Sequence, residues 1–135
     1  MKRTEHWPTK LALFIDDKRN QPFDWKVNNC GFFACDWINI LVGVDPAEEF
    51  RKLTDKELRK LIVKSDIELF ATAAAEHWGW KEIAPLYAQR GDIVSGNTPD
   101  GPALGVCIGS KVAFAGKAGL VFLLTGECRK AWRIE

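Results

Sequence analysis

An excess of charge of either sign is missing from this sequence. Its 135 residues carry 19 Lys and Arg against 18 Asp and Glu, a net charge of +1. A dedicated nucleic-acid binder needs a basic excess to neutralise phosphates, so no nucleic-acid partner is expected. Long apolar runs are missing too: none approaches the roughly 20 residues that cross a bilayer as a helix. The opening MKRTEHWPTK lacks the apolar stretch of a signal peptide. The expectation is a chain made and folded in a cytosol, with no membrane span. Cysteine occurs four times, but no Cys-x2-Cys or closely spaced His pair exists, and Cys107 and Cys128 stand far from any His. With four residues between Cys30 and Cys35, five positions apart, that is not a zinc-ligand pattern, and no metal is expected. In a reducing compartment the four read as free thiols. Gly105, Gly109, Gly116 and Gly119 match neither phosphate-binding fingerprint, so they read as turn glycines and no cofactor is expected.

What is present suits one folded domain. A chain of this length buries about two thirds of its surface on folding. Apolar residues make up 47% and charged residues 27%, a soluble globular profile. Six Trp and eight Phe are many for this length. They either fill the core or anchor an interface, where aromatics are enriched.

The first half is punctuated like a run of helices. Pro8 opens a short helix at Leu11–Asp17. The most apolar segment, Cys30–Val42, has Asn29 as its N-cap and Gly43 as its C-cap. Only Asp36 and Asn39 are strongly polar within it, so it reads as the buried centre of the fold. Asp45-Pro46-Ala47-Glu48 opens a helix at Pro46–Arg51. Capping-box patterns at Thr54 to Glu57 and Ser65 to Glu68 open two more, Asp55–Val63 and Asp66–Trp78. In the last, Ile67, Phe70, Ala71, Ala74 and Trp78 share one face, and Gly79 ends it. The basic residues between Arg51 and Lys64 alternate with acids and read as a solvated face.

After Trp80 short apolar runs alternate with turn signals, which is strand grammar. The expected strands are Asp92–Ser95, Leu104–Ile108, Val112–Ala115, Leu120–Leu124 and Lys130–Ile134, with turns at Asn97 to Pro102 and Gly109 to Lys111. Helices followed by an antiparallel sheet make an α+β domain. The domain divides into an N-terminal helix and loop at 1–22, a helical part at 23–80 and a sheet part at 81–135.

Cys30 opens the buried helix, where the positive end of the dipole lowers a thiol's pKa. A nucleophile needs that placement, and it also needs a base and an orienting group. The competing reading is a small buried cysteine that packs. Bases are scarce. His6 lies in an expected frayed N-terminus, and His77, in the last turn of a helix, is the one candidate helper.

The run Asn29-Cys30-Gly31-Phe32-Phe33-Ala34-Cys35-Asp36-Trp37, with Gly43-Val44-Asp45-Pro46-Ala47 and Phe50-Arg51, resembles a family of small tailed-phage proteins. So do Ala88-Gln89-Arg90-Gly91-Asp92-Ile93-Val94, Leu104-Gly105-Val106-Cys107, Phe114-Ala115-Gly116 and Ala131-Trp132-Arg133-Ile134. That family looks related to the papain-like NlpC and CHAP cell-wall amidases. The resemblance implies a papain-like α+β fold with Cys30 at the nucleophile position. It puts the catalytic His position at Ala103 and the orienting position near Ala115, so both partners are replaced. It further implies a tail-tip or tail-assembly component, built in the host cytoplasm and carried in the virion tail, whose partners are other phage tail proteins. Trp7, Trp25, Trp80 and Trp132 are its candidate anchors. The alternatives are an active cysteine amidase using Cys30 and His77, and a module that grips cell-wall peptide without cutting it.

Overall fold

Asn29 decides where the central helix begins. In the computed structural model, which describes residues 1–64 and 66–135, its side-chain oxygen accepts from the backbone N–H groups of Gly31 (2.9 Å) and Phe32 (2.8 Å). Those are two of the donors that a helix start leaves unpaired. Helix α2 therefore spans Phe32–Val42 and stops at Gly43, whose φ of 79° is left-handed. Asn29 supplies the capping oxygen and Gly43 the stop, as expected, but the helix begins two residues later than expected: Gly31 holds the N-cap position and Cys30 lies in the turn before it. Phe33, Ala34, Trp37 and Leu41 of α2 are wholly buried.

Helix α1, Trp7–Lys18, lays Leu11, Phe14 and Ile15 on α2. Phe14 meets Phe33 and Trp37 at ring-centroid distances of 5.2 and 5.6 Å. It is longer than the expected Leu11–Asp17 because the chain before it is tied down. The Thr4 N–H donates to Leu41 O at 2.7 Å, and Arg3 donates to the carbonyls of Ile134 and Arg90, each at 2.9 Å. The N-terminus is thus anchored and not frayed, although His6 itself stays exposed.

The expected helix at Pro46–Arg51 is instead a turn leading into a 3₁₀ segment, Phe50–Lys52. Asp45 caps the Ala47 N–H, but Arg51 folds back to hold the same carboxylate at 2.7 Å. The last bonds, from Lys52 to Glu49 and Leu53 to Phe50, close tight i to i+3 turns. Helix α3, Asp55–Lys64, opens on the expected capping box: Thr54 N–H donates to Glu57, and Glu57 N–H to Thr54 Oγ1. Helix α4 is Ile67–Trp78, with Asp66 accepting from Glu68 N–H at 2.9 Å and Gly79 ending it at φ 78°. Ser65, the other half of the expected cap, lies outside the described residues.

Six strands form one antiparallel sheet: β1 Lys81–Ile83, β2 Ile93–Thr98, β3 Gly101–Cys107, β4 Lys111–Gly116, β5 Gly119–Leu124 and β6 Lys130–Arg133, in the order β1-β6-β2-β3-β4-β5. Strand β1 was not expected, because its Lys81 and Glu82 are exposed and only pairing with β6 makes it a strand. The expected turn at Asn97 to Pro102 is narrower. Strands β2 and β3 pair through Asn97–Pro102 and Thr98–Gly101, and Gly101 takes φ 113° to close the hairpin.

Period-two alternation splits the sheet's side chains between two cores. Leu104, Val106, Ala113 and Ala115 face α1, α2 and α4, while Val94, Ala103, Cys107, Val112 and Phe114 form a smaller cluster on the other face. The sheet curls around Phe114. A Cβ at Gly105 would stand 2.4 Å from Ala113 O and 2.7 Å from the Phe114 ring, so only glycine fits there. Among the described residues, four helices and a six-stranded antiparallel sheet make the architecture α+β.

Candidate functional site

Strands β3 and β4 pair only through Val106–Ala113 and Cys107–Val112, then diverge. The backbone of Cys30 fills the gap: Leu104 N–H donates to Cys30 O at 2.9 Å. That bond fixes the turn before α2 against β3 and puts the Cys30 side chain on the Phe114 cluster, beside Ala103. Cys30 and Ala103 line one cleft of about 530 Å³. Trp25, Asp66, Glu68, Asn97, Asp100 and Arg129 line the same cleft.

The electrostatics of Cys30 contradict the helix-dipole expectation. Burial pushes its thiol up from 9.0 to about 11, and the backbone hydrogen bond that favours the thiolate recovers only part of that. Because Cys30 precedes the N-cap Gly31, Asn29 rather than Cys30 faces the free N–H groups of α2. Burial also raises Cys35 and Cys107, and lifts Cys128 to about 11.

His77 is not a helper to Cys30. The α4 residues in the cleft are Ile67 and Glu68, at its start. His77 lies nine residues further on, about 13 Å along the helix axis. It is exposed, with its ring edge-on to Trp78 at 4.5 Å. Ala115 is misplaced as an orienting position as well, since it lies on the helix face of the sheet and Ala103 on the opposite face.

One ionised group of the cleft, Glu68, is a residue that sequence reasoning missed. Glu68 accepts from Ser95 Oγ at 2.6 Å and from Arg129 Nε at 3.3 Å, and Ser95 Oγ accepts in turn from Lys130 N–H. Burial opposes the Glu68 charge. The Ser95 and Arg129 hydrogen bonds and the charges of Arg129 and Lys130 outweigh it, holding the carboxyl below its ordinary range. A carboxylate so held is a poor proton acceptor and a good fixed negative charge. Only the spacing of Glu68 in the first turn of α4 was visible in the sequence; Ser95 and Arg129 reach it through the β2–β6 pairing.

The four tryptophans divide. Trp80 and Trp132 are 6% and 2% exposed and belong to the main core, so neither is a surface anchor. They cover apolar area where β1 and β6 meet the helices. Trp7 and Trp25 are half-buried. Arg3 stacks over Trp7 at 4.5 Å, and Trp25 packs edge-on against Phe23 at 4.9 Å at the cleft wall. An apolar hollow of about 510 Å³ lies between α2, α3 and α4, walled by Phe32, Phe50, Leu58 and Phe70, and shares Ile62, Asp66 and Ile67 with the cleft.

Among the described residues no group of three His, Cys, Asp or Glu is placed to hold a metal ion, and no helix is long and apolar enough to cross a membrane. No curated protein matches the sequence. A family model matches residues 2–134, nearly the whole chain, and the protein belongs to the family it describes, a domain of unknown function designated DUF6950.

Proposed function

We propose that the protein is a structural component of a bacteriophage tail, at the tip or in tail assembly, built on a papain-like scaffold whose catalytic centre has been dismantled. The observation that carries the proposal is the pairing of Cys30 with Ala103 in one cleft. The positions that the resemblance gives to the nucleophile and the His share this cleft and one apolar cluster, but the second holds a methyl group. Cys30 is left with a thiol at about 11, un-ionised at neutral pH. Loss of a general base removes about 10²–10⁴-fold of rate, and a protonated thiol removes more. The active-amidase alternative therefore has neither its base nor its thiolate. Such a part would meet other tail proteins through its surface and work first in the host cytoplasm, then in the virion tail.

The binding alternative has one specific support: Trp25 and the fixed Glu68 carboxylate give the cleft an aromatic wall and a negative charge. A cell-wall peptide with a free amino group would suit both.

The test is genetic, in a phage that carries this gene. The proposal expects Cys30→Ser phage to plaque like the parent, while a null allele yields particles without functional tails. Equal loss of infectivity in both strains would return Cys30 to catalysis and overturn the structural reading. A saturable signal on titrating the protein with muropeptides would favour the binding alternative.

A further inference from the structure

The apolar hollow between α2, α3 and α4 has one polar wall group without a partner. At about 510 Å³ the hollow falls within the range of small-molecule pockets, about 300–1,000 Å³. Phe32, Cys35, Leu58 and Phe70 line its inner part, while Leu61 and Leu69 at its rim are 37% and 67% exposed. Water gains few hydrogen bonds against such walls, whereas an apolar molecule buries surface there.

Asn29, Lys64 and Asp66 are the polar and charged side chains of the wall. Asn29 is fully engaged: its oxygen takes the Gly31 and Phe32 N–H groups, and its amide donates to Trp25 O at 2.9 Å. Asp66 accepts the Glu68 N–H at 2.9 Å and lies where the hollow meets the Cys30 cleft. Lys64 lines the hollow and not the cleft, and it makes no hydrogen bond or ion pair among the described residues.

Helical spacing explains that placement. At about 100° per residue, Leu61 and Lys64 share one flank of α3, with Lys60 one turn before Lys64. Glu57 is the acid on that flank, and its carboxylate is closed into its own cap by the Thr54 N–H at 2.9 Å. Val63 and Arg59 take the other flank: Val63 lines the cleft, and Arg59 lies 5.9 Å over Trp25 in the cleft wall. Helix α3 is thus a partition, with the unpaired cation on the side of the hollow.

We propose that the hollow binds an amphiphile of the fatty-acid class, a single alkyl chain with an anionic head. This goes beyond the tail reading and stands without it. The chain lies against Phe32, Leu58 and Phe70, and the carboxylate meets the Lys64 ammonium at the rim. Each buried methylene adds to affinity, and the head sets the orientation, because at Asp66 it would meet a like charge. A partner helix is about 10–12 Å across, so a hollow of about 510 Å³ would hold roughly one turn of it. The volume suits a slender chain instead.

Titration calorimetry on the full chain is the test, with dodecanoate, decanoate and dodecyltrimethylammonium as probes, each kept below its micelle concentration. Dodecanoate is expected to saturate one site. Decanoate, two methylenes shorter, should bind on the order of tenfold more weakly. Lys64→Glu should weaken dodecanoate on the order of tenfold and strengthen the cationic probe. Leu69→Asp gives a second readout: it adds an acid at the rim in the first turn of α4, a place that favours one, and should weaken dodecanoate with melting unchanged. On saturation the amide resonances of Leu58, Leu61 and Phe70 should shift, and those of Gly96 and Ala103 in the cleft should not. An absence of saturable binding would overturn the proposal. Equal affinity for the two chain lengths, or for the two head charges, would overturn it too, as would shifts centred on Gly96 and Ala103.

Discussion

Arg51 and Asp36 meet at 2.7 Å, and through that contact a loop residue neutralises the one acid in the buried helix α2. The same guanidinium grips Asp45 through Nε at 2.7 Å and lies 4.8 Å over the Phe32 ring. Lys18 of α1 holds the other Asp36 oxygen at 3.1 Å. The desolvation of Arg51 is outweighed by the two carboxylates, which raise its pKa. Two acids, two cations and an aromatic face thus join α1, α2 and the 3₁₀ segment.

Arg51→Ala should therefore destabilise the fold by about 1–2 kcal/mol, the range for leaving partly screened carboxylates without a partner. Arg51→Lys should restore less than half of that, because a single ammonium cannot bridge two carboxylates in the plane of a fork. Urea denaturation of the two variants measures both. Equal stability of the alanine variant and the parent would show that Lys18 alone suffices for Asp36.

A deeper pair lies at the N-terminus. Arg3 meets Asp92 at 2.7 Å, and the Asp92 side chain is fully buried with Arg133 at 3.4 Å and the Gln89 N–H at 2.9 Å. Arg3→Ala strips the nearer cation from a buried carboxylate and frees the chain ahead of α1. A loss of about 2–4 kcal/mol is expected, at the lower end of the cost of breaking a buried pair because a second cation remains. Guanidinium denaturation should show the midpoint fall, and protease should then cut the first residues of the chain. A shift below half a kcal/mol would mean that Arg133 carries Asp92 alone.

Much of this was legible residue by residue. Gly43, the Thr54–Glu57 box and Gly79 cap and stop helices by local chemistry where the sequence reading put them, and Asn29 supplies the expected capping oxygen for α2, whereas Asp66, expected inside α4, is its N-cap. Failures came where distant partners decide. Strand β1 exists through β6, and the turn at Pro46 tightens because Arg51 returns to Asp45. Cys30 was expected at the start of the buried helix, but its half-buried, apolar environment comes from β3 and Phe114, over seventy residues away. Trp80 and Trp132 are core residues for the same reason. Sequence spacing could not place Ala103 and Ala115 on opposite faces without the register.

Cys30 should react slowly. With its thiol at about 11, the thiolate fraction at pH 7.5 is on the order of 10⁻⁴–10⁻³. Its alkylation rate should rise about tenfold per pH unit up to pH 10 without levelling. Stability should move the other way. The folded pKa lies above the unfolded 9.0, so the thiol's contribution is complete below pH 9 and is lost as pH rises toward 11. Cys128 adds to the same window. Cys30→Ser should flatten part of that alkaline fall. A rate plateau below pH 8 would contradict the buried thiol and reopen its activation.

The cleft can also be tested by adding what it lacks. Ala103 and Cys30 share the cleft and the same cluster, so Ala103→His would bring an imidazole to the thiol. A protonated imidazole beside a cysteine stabilises thiolate, as does partial opening of the site to water around a larger side chain. The two effects separate by pH. An ion pair raises the alkylation rate at pH 6–7 by on the order of tenfold or more and gives it a plateau, whereas added solvent exposure alone lets the rate climb steadily to the free thiol's pKa. The plateau is the expected result, because the backbone bond from Leu104 to Cys30 fixes the two positions against each other. A steady climb, or no change, would mean that position 103 does not address the thiol, and the papain-like assignment of this pair would fall with it.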